Sequence, residues 1–525
     1  MVGTLSKNLH FYICVYVISF LDVVSLCSLL KTHKEFGQYV DKCSRSKIQT
    51  LYMRSLPKNS KLFENLYYFQ VKYTGNIKSV PRKKNKTHLI DYVCTDSEIT
   101  EIKYTRLKIV HKLKFGINAC EKDIDISDLK DIHTLDLHGF TGITNVSALG
   151  NVHTLNLSDC DNIKNVSSLG NNHYLNLSHC YKITDVNALG NVHELILGYC
   201  KGITDVSALG NVHTLNLCGC FNIINFSALG NNHYLNLSCC HRITDVCVRE
   251  LGNVHNLNLS ECSKITDVSA LGNVHTLTLG CCNKITCVNA LGNVHELNLS
   301  DCQGITNVTA LGNVHTLDLS WCEGVTDVSA LGNVHTLNLS GCKGITDVRA
   351  LGNVHTLNLS SCDRIKDVRA LGNVYDLNLR DCEEIIDVRS LGNVHKLNLR
   401  GCYKIIDVST LGNVYNLCLL NCTGIEDVSA LGNNHYLDLS YTNVSSVKHL
   451  AKVHTLDLSC CDNITDLKYL ANVNTLDLRF CEGITDVSSL VNVRCIYLFN
   501  CYDLPYANIM LLKQRNPTIE INTSY

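Results

Sequence analysis

Histidine recurs at one position of a repeated segment, and its imidazole is a common metal ligand. The position advances by 20 residues over most of the chain and holds fifteen histidines: His133, His153, His173, His193, His213, His233, His255, His275, His295, His315, His335, His355, His395, His435 and His454. A metal ion needs ligands that converge on it, whereas a linear column offers only the neighbours above and below. Tyr375 and Tyr415 also occupy this position. We therefore predict a hydrogen-bonding column beside the start of a strand, with no metal site.

Cysteine recurs in the same way. Of 30 cysteines, seventeen share one repeat position: Cys160, Cys180, Cys200, Cys220, Cys240, Cys262, Cys282, Cys302, Cys322, Cys342, Cys362, Cys382, Cys402, Cys422, Cys461, Cys481 and Cys501. Equivalent positions in stacked parallel strands lie about 4.8 Å apart, so each thiol has two equal neighbours and no reason to pair with either. A buried thiol also serves as a small apolar filler with a weak donor. The pattern predicts reduced structural cysteines and a reducing compartment.

Catalytic chemistry has little support in these patterns. A triad or a carboxylate pair requires a few unlike residues in a unique arrangement, whereas Ser, His, Asp and Cys recur here as copies of one template. The chain has no glycine motif that would cradle phosphate and no Cys-x-x-Cys pair with zinc-finger spacing. We predict no catalytic residue, no cofactor and no bound metal.

The repeat that carries these columns has the frame V-x-x-L-x-L-x-x-C-x-x-I-x-x-V-x-x-L. In one copy the frame begins at Val152 and continues through Leu155, Leu157 and Cys160. The period-two L-x-L predicts a strand with one buried face, and the Gly-Asn pair that precedes each copy predicts a turn. Twenty residues leave too little chain for a full helix on the return. We therefore expect 3₁₀ or extended segments on the convex side and a long parallel sheet on the concave side.

This frame resembles the leucine-rich repeat, and the Cys followed by Ile183, Thr184 and Asp185 resembles its cysteine-containing type. The resemblance implies an α/β leucine-rich-repeat solenoid of about 19–20 short repeats over residues 107–503. A degenerate copy is expected around Val110–Phe115, a longer convex segment at the insertion Val246–Leu251, and a local change of curvature near Tyr441–Val447. Residues 504–525 are predicted to form a C-terminal cap with a short helix and a strand.

Two repeat positions vary between copies, the residue before the frame Cys and the residue before the first frame Leu. Variable side chains on a constant frame predict a concave face that binds a protein, with Trp321 and the tyrosines as anchors. The predicted target-binding residues are Tyr174, Glu194, Tyr199, Tyr234, Glu261, Asp301, Trp321, Asp376, Asp381, Lys396 and Tyr436. Copies this similar also fit recent duplication, as the segment GNNHYLNLS near residues 171 and 231 shows. Drift is therefore the alternative explanation of the variation.

Charge divides the chain unequally. Residues 1–130 carry 22 Lys and Arg against 12 Asp and Glu, whereas residues 131–525 carry 24 against 36. An acidic array argues against nucleic acid as its partner, because phosphate binding needs basic stripes. Asn-x-Ser recurs throughout the repeats, and a secreted chain would risk glycans over its binding face. We therefore expect a cytoplasmic protein.

The N-terminal segment 9–36 resembles an F-box. The matching residues are Leu9, Ile13, Val17, Phe20, Leu21, Leu26, Leu29 and Phe36. The resemblance implies a helical segment within residues 1–45 that docks on a Skp-family linker of a cullin ubiquitin ligase. Two alternatives stay open for this segment. Residues 11–30 have about the length of a membrane span or signal peptide, although Asp22 would be costly in lipid, and the segment also suits a plain helical cap.

Residues 46–106 are predicted to be a linker or N-terminal cap region. The basic run Pro81–Lys86 within them suits a solvated loop or a nuclear-import patch. The whole chain resembles the F-box and leucine-rich-repeat proteins that are multiplied in giant DNA viruses and amoebae. The leading hypothesis is a non-enzymatic substrate adaptor of a cullin-type ligase, monomeric outside that complex and placed in the host cytoplasm if viral. The alternatives are an interaction scaffold without a ubiquitin link and, more distantly, a secreted or membrane-anchored receptor.

Overall fold

The computed structural model describes residues 126–523 together with four short strands nearer the N-terminus. The chain forms two compact units, residues 1–242 and residues 243–525. The F-box-like segment 9–36, the possible membrane span 11–30 and the basic run Pro81–Lys86 lie outside the described residues.

The first unit contains a parallel sheet in which each strand pairs with the strand of the next repeat. Its strands β1 to β10 are Thr50–Met53, Gln70–Tyr73, Ile90–Cys94, Val110–Phe115, Thr134–Asp136, Thr154–Asn156, Tyr174–Asn176, Glu194–Ile196, Thr214–Asn216 and Tyr234–Asn236. Leucine pairs with leucine from one strand to the next, as in Leu155 with Leu175. Strands β1 to β4 also begin at steps of 20 residues and pair in order. The sequence analysis did not predict β1 to β3.

The second unit contains a sheet of the same kind. Its strands β11 to β24 are Asn256–Asn258, Thr276–Thr278, Glu296–Asn298, Thr316–Asp318, Thr336–Asn338, Thr356–Asn358, Asp376–Asn378, Lys396–Asn398, Asn416–Cys418, Tyr436–Asp438, Thr455–Asp457, Thr475–Asp477, Cys495–Tyr497 and Glu520–Asn522. All consecutive pairs are parallel and in register, for example Leu317 with Leu337. The single-residue deletion before β21 leaves this register intact, since Leu437 pairs with Leu456.

The core consists of the frame residues stacked in columns. In the copy that begins at Val152, the side chains of Leu155, Leu157, Cys160 and Ile163 are fully buried. In most three-residue strands the middle residue faces this core, while its two neighbours stay partly exposed. Asp438 and Asp477 are third residues that are buried. The L-x-L pattern therefore sets one buried side chain per strand and fixes the register, because a slip by one residue would expose every leucine.

Short 3₁₀ helices form the return path of most repeats, as predicted. They are Ser127–Leu129, Ser147–Leu149, Ser167–Leu169, Asn187–Leu189, Ser207–Asn211 and Ser227–Asn231 in the first unit, and Arg249–Leu251, Ser269–Leu271, Asn289–Asn293, Thr309–Leu311, Ser329–Asn333, Arg349–Asn353, Arg369–Asn373, Arg389–Asn393, Leu411–Asn413, Leu431–Asn433 and Lys468–Leu470 in the second. In most repeats an Asp or Asn precedes the turn and its side-chain oxygen accepts a backbone N–H two residues on, as Asp205 does from Ser207 at 2.9 Å. The carboxylate thus satisfies a donor at the start of the turn.

Two α-helices complete the described elements. Helix α1, Asp245–Val248, lies in the predicted insertion and leads directly into a 3₁₀ turn. Helix α2, Tyr506–Arg515, buries Ile509 and Leu512 and is followed by β24, which pairs with β23. The helix and strand predicted for the C-terminal segment are thus both present. The predicted fold class is confirmed: the chain is a leucine-rich-repeat solenoid with 3₁₀ turns opposite the sheet.

Candidate protein-binding face

The sheet of each unit presents a surface built from four positions of every repeat, most of them at least partly exposed. We define the exposed sheet face as the first and third residues of each strand together with the second and third residues after the strand. In the repeat of β6 these are Thr154, Asn156, Ser158 and Asp159. The strand residues between them are buried leucines, so every repeat contributes the same four positions to this face.

The last of the four positions adopts a left-handed backbone conformation throughout. Its φ lies between 55° and 61° in fifteen non-glycine residues: Asp159, His179, Tyr199, Cys239, Glu261, Cys281, Asp301, Trp321, Ser361, Asp381, Asn421, Tyr441, Cys460, Phe480 and Asn500. Gly139, Gly219, Gly341 and Gly401 occupy it elsewhere with φ of 66–77°. This conformation costs a non-glycine residue roughly 1–2 kcal/mol. The turn therefore imposes the conformation, and the sequence fills it with diverse side chains.

The predicted target-binding residues fall in two columns of this face. The first residues of strands are Tyr174, Glu194, Tyr234, Asp376, Lys396 and Tyr436. The left-handed residues are Tyr199, Glu261, Asp301, Trp321 and Asp381. Both columns reach solvent at least in part. Their role in binding a target stays a prediction.

Several predicted residues of the second unit already have partners on the face. Lys396 Nζ lies 3.2 Å from Asp376 Oδ2 on the paired strand. Asp381 pairs with Arg380, whose Nε lies 2.9 Å from its Oδ2. The charges of these residues are therefore compensated within the face itself.

Tyr436 stands beside a column of carboxylates. Asp438, Asp457 and Asp477 are the third residues of three adjacent strands and lie in register. Burial and these three carboxylates raise the pKa of Tyr436 to about 12. Burial also raises the pKa of Asp457, and Asp477 and Asp438 add to the effect. Only Asp477 has a basic partner in the described chain, Arg479 at 2.6 Å.

A cluster of aromatic rings in the first unit was missed by the sequence analysis. The rings of His179 and Tyr199 stack at 4.9 Å, and Phe221 stacks on His241 at 5.6 Å. Lys201 Nζ lies 5.6 Å from the ring centre of Tyr181 and 5.8 Å from that of Phe221. Tyr181, Lys201, Phe221 and His241 occupy the position directly after the frame Cys, which also varies between copies. Inspection of that third variable column would have found them.

The histidine column forms a ring stack along the edge of the face. In the first unit six rings from His133 to His233 stack at 4.4–4.7 Å between centroids. In the second unit eleven rings from His255 to His454, two of them tyrosines, stack at 4.5–4.9 Å. Where a threonine follows, its hydroxyl lies 3.2–3.4 Å from the ring Nδ1. The predicted hydrogen bonds are present, and the stacking is an additional contact.

Asparagine recurs as the third residue of the strands, where its side chain stabilises the following turn. Asn156 Oδ1 accepts the backbone N–H of Ser158 at 3.1 Å and its hydroxyl at 2.8 Å, and Asn338 accepts the N–H of Ser340 in the same way. These amides hold the turn that leads to the left-handed residue. Their oxygens are thereby engaged inside the repeat.

The cysteine column is buried and unpaired, as predicted. All seventeen thiols are free, and sixteen of them are buried, with Cys501 half-buried. Nearly every Sγ donates to a leucine carbonyl of the preceding repeat at 3.0–3.3 Å, for example Cys342 to Leu319. Burial raises the pKa of Cys362 to about 12. The column is therefore a packing device whose thiols stay protonated.

Within the described residues, no group of three or more His, Cys, Asp and Glu side chains is placed to hold a metal ion. None of the helices in the described part of the chain has the length and apolarity needed to cross a bilayer.

No protein-family model matches the chain, and no curated protein matches it significantly. Several solved structures do match the chain. An internalin, InlF, from Listeria monocytogenes is 20% identical, with 58% of this chain and 83% of that chain covered and a TM-score of 0.29. A leucine-rich-repeat protein from Leptospira interrogans is 17% identical, with 82% and 99% covered and a TM-score of 0.37. The functional domain of InlJ from L. monocytogenes, which includes a cysteine ladder, is 18% identical, with 79% and 74% covered and a TM-score of 0.26.

The strand register, the 3₁₀ turns and the buried frame of this chain define its fold.

Proposed function

We propose that the chain is a non-enzymatic scaffold that binds a target protein through the exposed sheet face. The proposal rests on one observation: the buried frame residues are nearly constant between repeats, whereas residues of the exposed sheet face vary. The frame leucines, cysteines and isoleucines repeat almost unchanged and are buried, while the first strand residue and the left-handed residue differ from copy to copy. A wide, repeat-built face of varied side chains is how solenoid proteins bind partners.

The residues with left-handed backbone conformation, the last of the four positions of the face, also support this proposal. Trp321, Tyr441 and Phe480 hold a conformation that disfavours bulky side chains, and each remains largely exposed. Exposed aromatic side chains are typical interface anchors. Exposed aromatic side chains at an energetically costly backbone position are consistent with a binding role.

A capture experiment with matched variants tests the proposal. One variant changes the face (Trp321→Ala, Asp301→Asn, Lys396→Ala), and its control changes the 3₁₀ side (Arg349→Ala, Arg369→Ala, Arg389→Ala). We expect at least one eukaryotic cytosolic protein to be retained by the wild type and the control and to be lost with the face variant. Loss with the control alone, or retention of no protein by the wild type, would contradict the proposal.

A finer form of the proposal makes the chain a substrate adaptor of a cullin-type ubiquitin ligase in the cytoplasm. It rests on the F-box resemblance of residues 9–36, and the free thiols favour a reducing compartment of this kind. The test compares the wild type with a Phe20→Ala/Leu21→Ala double variant for co-purification of a Skp-family linker and a cullin. Recovery with the wild type alone supports the adaptor. Recovery with neither protein leaves the scaffold without a ubiquitin link.

A further inference from the structure

Trp321 stands out on the exposed sheet face of the second unit. Half of its surface, 50%, is exposed, although it is a large apolar side chain. Its indole lies against the backbone of Gly341, since a Cβ built on that glycine would be 2.6 Å from Trp321 Cδ2. It is also the single tryptophan of the chain. The ring is thus supported from one side and open to solvent elsewhere.

Carboxylates without a basic partner lie in the repeats just before it. Glu296 is the first residue of β13, Asp301 is the left-handed residue one repeat before Trp321, and Asp318 ends the strand that leads to Trp321. None of the three forms an ion pair within residues 126–523. Further along the same face, Asp376 and Asp381 do have basic partners.

Asp301 and Asp318 are held by polar contacts close to the tryptophan in the chain. Gln303 Nε2 donates to Asp301 Oδ1 at 2.7 Å and to the Trp321 carbonyl at 2.9 Å, so one amide joins the carboxylate to the tryptophan backbone. Asp318 accepts from Asn338 and Ser320. Residues 256–341 are all described, and their only lysine or arginine side chains are Lys264 and Lys284, each two residues after a frame cysteine.

A guanidinium group matches this arrangement. A cation over an indole gains roughly 0.5–2 kcal/mol, and arginine does this more often than lysine. The planar guanidinium also stacks on aromatic rings while it donates to carboxylates, which the compact ammonium of lysine does less well. Anionic partners are disfavoured, because three carboxylates are already uncompensated on this part of the face.

We propose that Trp321 together with Asp301 and Asp318 receives an arginine side chain from an extended, basic segment of a partner protein, and that Glu296, at the start of the neighbouring strand, adds negative charge for the same segment. This inference rests on the proposed function, since it names the chemistry of the target that the exposed sheet face binds. The indole supplies the stacking surface, and the carboxylates supply the charge.

Intrinsic fluorescence of the full-length protein tests this directly, because Trp321 is the only tryptophan. The probes are an acetylated Gly-Arg-Gly-Arg-Gly-Arg-Gly amide and its lysine and citrulline counterparts, the last being neutral and nearly isosteric with arginine. We expect a saturable change of emission with the arginine peptide, weaker binding of the lysine peptide and no response to citrulline. A Glu296→Gln/Asp301→Asn/Asp318→Asn variant, which keeps the tryptophan, should raise the Kd of the arginine peptide at least about 10-fold.

Asp376→Asn is the matched control, because that carboxylate already has Lys396 as its partner. It should leave the Kd unchanged. An equal response to arginine and citrulline peptides, no response at all, or a Kd that the triple variant does not change would overturn the inference. The capture experiment separates the two proposals: a target retained through the sheet face without arginine-peptide binding overturns the arginine site alone, and the loss of both overturns the scaffold as well.

Discussion

The indole of Trp321 lies on the backbone of Gly341, the residue that occupies the same left-handed position in the next repeat. The first unit contains the same relationship, because a Cβ on Gly219 would be 2.6 Å from Tyr199 Cδ1. In both pairs the ring covers a neighbour that has no side chain. The large side chain in one repeat therefore depends on the glycine in the next, because a side chain there would collide with its ring.

Gly341→Ala should displace the indole of Trp321. The added methyl group would clash with the ring, and the backbone φ of 73° disfavours any residue with a Cβ. We expect a shift of the tryptophan emission and a loss of roughly 1 kcal/mol in the free energy of unfolding. Gly401→Ala is the control, because Gly401 has a similar φ of 75° but faces Asp381 instead of an aromatic ring. It should cost similar stability without the spectral change, and an unchanged spectrum in Gly341→Ala would refute the contact.

Asn434→Val should stabilise the second unit. Asn434 replaces the frame valine, its side chain is 1% exposed, and its Nδ2 donates to the carbonyls of Leu411 and Val414. Its Oδ1 is buried without a hydrogen-bond partner, and such a group costs about 1–3 kcal/mol. Valine removes that cost and restores the apolar column, so we expect a gain of about 1 kcal/mol in urea unfolding. Val354→Asn is the reciprocal change and should destabilise; a gain there, or a loss in Asn434→Val, would contradict the argument.

The sequence predicted the frame because each frame residue has one environment. Leu155, Leu157 and Cys160 recur at fixed spacing, and apolar residues that recur in this way in stacked repeats form buried columns. The left-handed conformation was not predictable in the same way. Glycine is its usual sequence signal, yet Trp321 and Tyr199 occupy it, since the turn and not the residue type sets the backbone there.

The sequence analysis predicted which repeat positions form the candidate face, but it did not predict the contacts between their side chains. Variable residues such as Trp321 lie in two columns of this face, and their role in binding stays a prediction. The stack of Phe221 on His241 and the ring stacking along the histidine column were not foreseen. A repeat pattern gives the column in which a residue lies. It does not give the rotamer, and rotamers decide whether rings in adjacent repeats stack or point apart.

Alkylation should distinguish the buried cysteine column from the surface thiols. Burial raises the pKa of Cys362 to about 12, so at pH 8 only about one such thiol in 10⁴ is ionised, and the reagent cannot reach it. Cys287 is exposed. We expect iodoacetamide to label Cys287 in the native protein and Cys362 only after denaturation, as peptide mass spectrometry would show. Native labelling of Cys362 at a rate comparable to Cys287 would mean that the column is not packed as described.

The histidine stack should make the second unit sensitive to acid. The His335 ring lies between His315 and His355, with centroids 4.7 and 4.6 Å away. Burial, and then the possible charges of His355 and His315, lower the pKa of His335 below its ordinary value of 6.5. The unfolded chain therefore binds protons more readily than the folded one. Stability is unaffected well above pH 6.5 and is lost as the pH falls through 6.5 towards the lowered pKa of the folded state.

A His315→Tyr/His335→Tyr/His355→Tyr variant isolates this effect, because tyrosine already stacks in the same column at Tyr375 and Tyr415. The variant keeps a continuous stack and removes His335 together with the two imidazoles stacked on it. We expect the urea midpoint of the wild type to fall between about pH 7 and pH 5, and that of the variant to fall less, while the two midpoints stay similar at pH 8. If the variant loses as much stability as the wild type over this interval, the acid sensitivity arises from other groups, and the stacked histidines act only as spacers along the edge of the sheet.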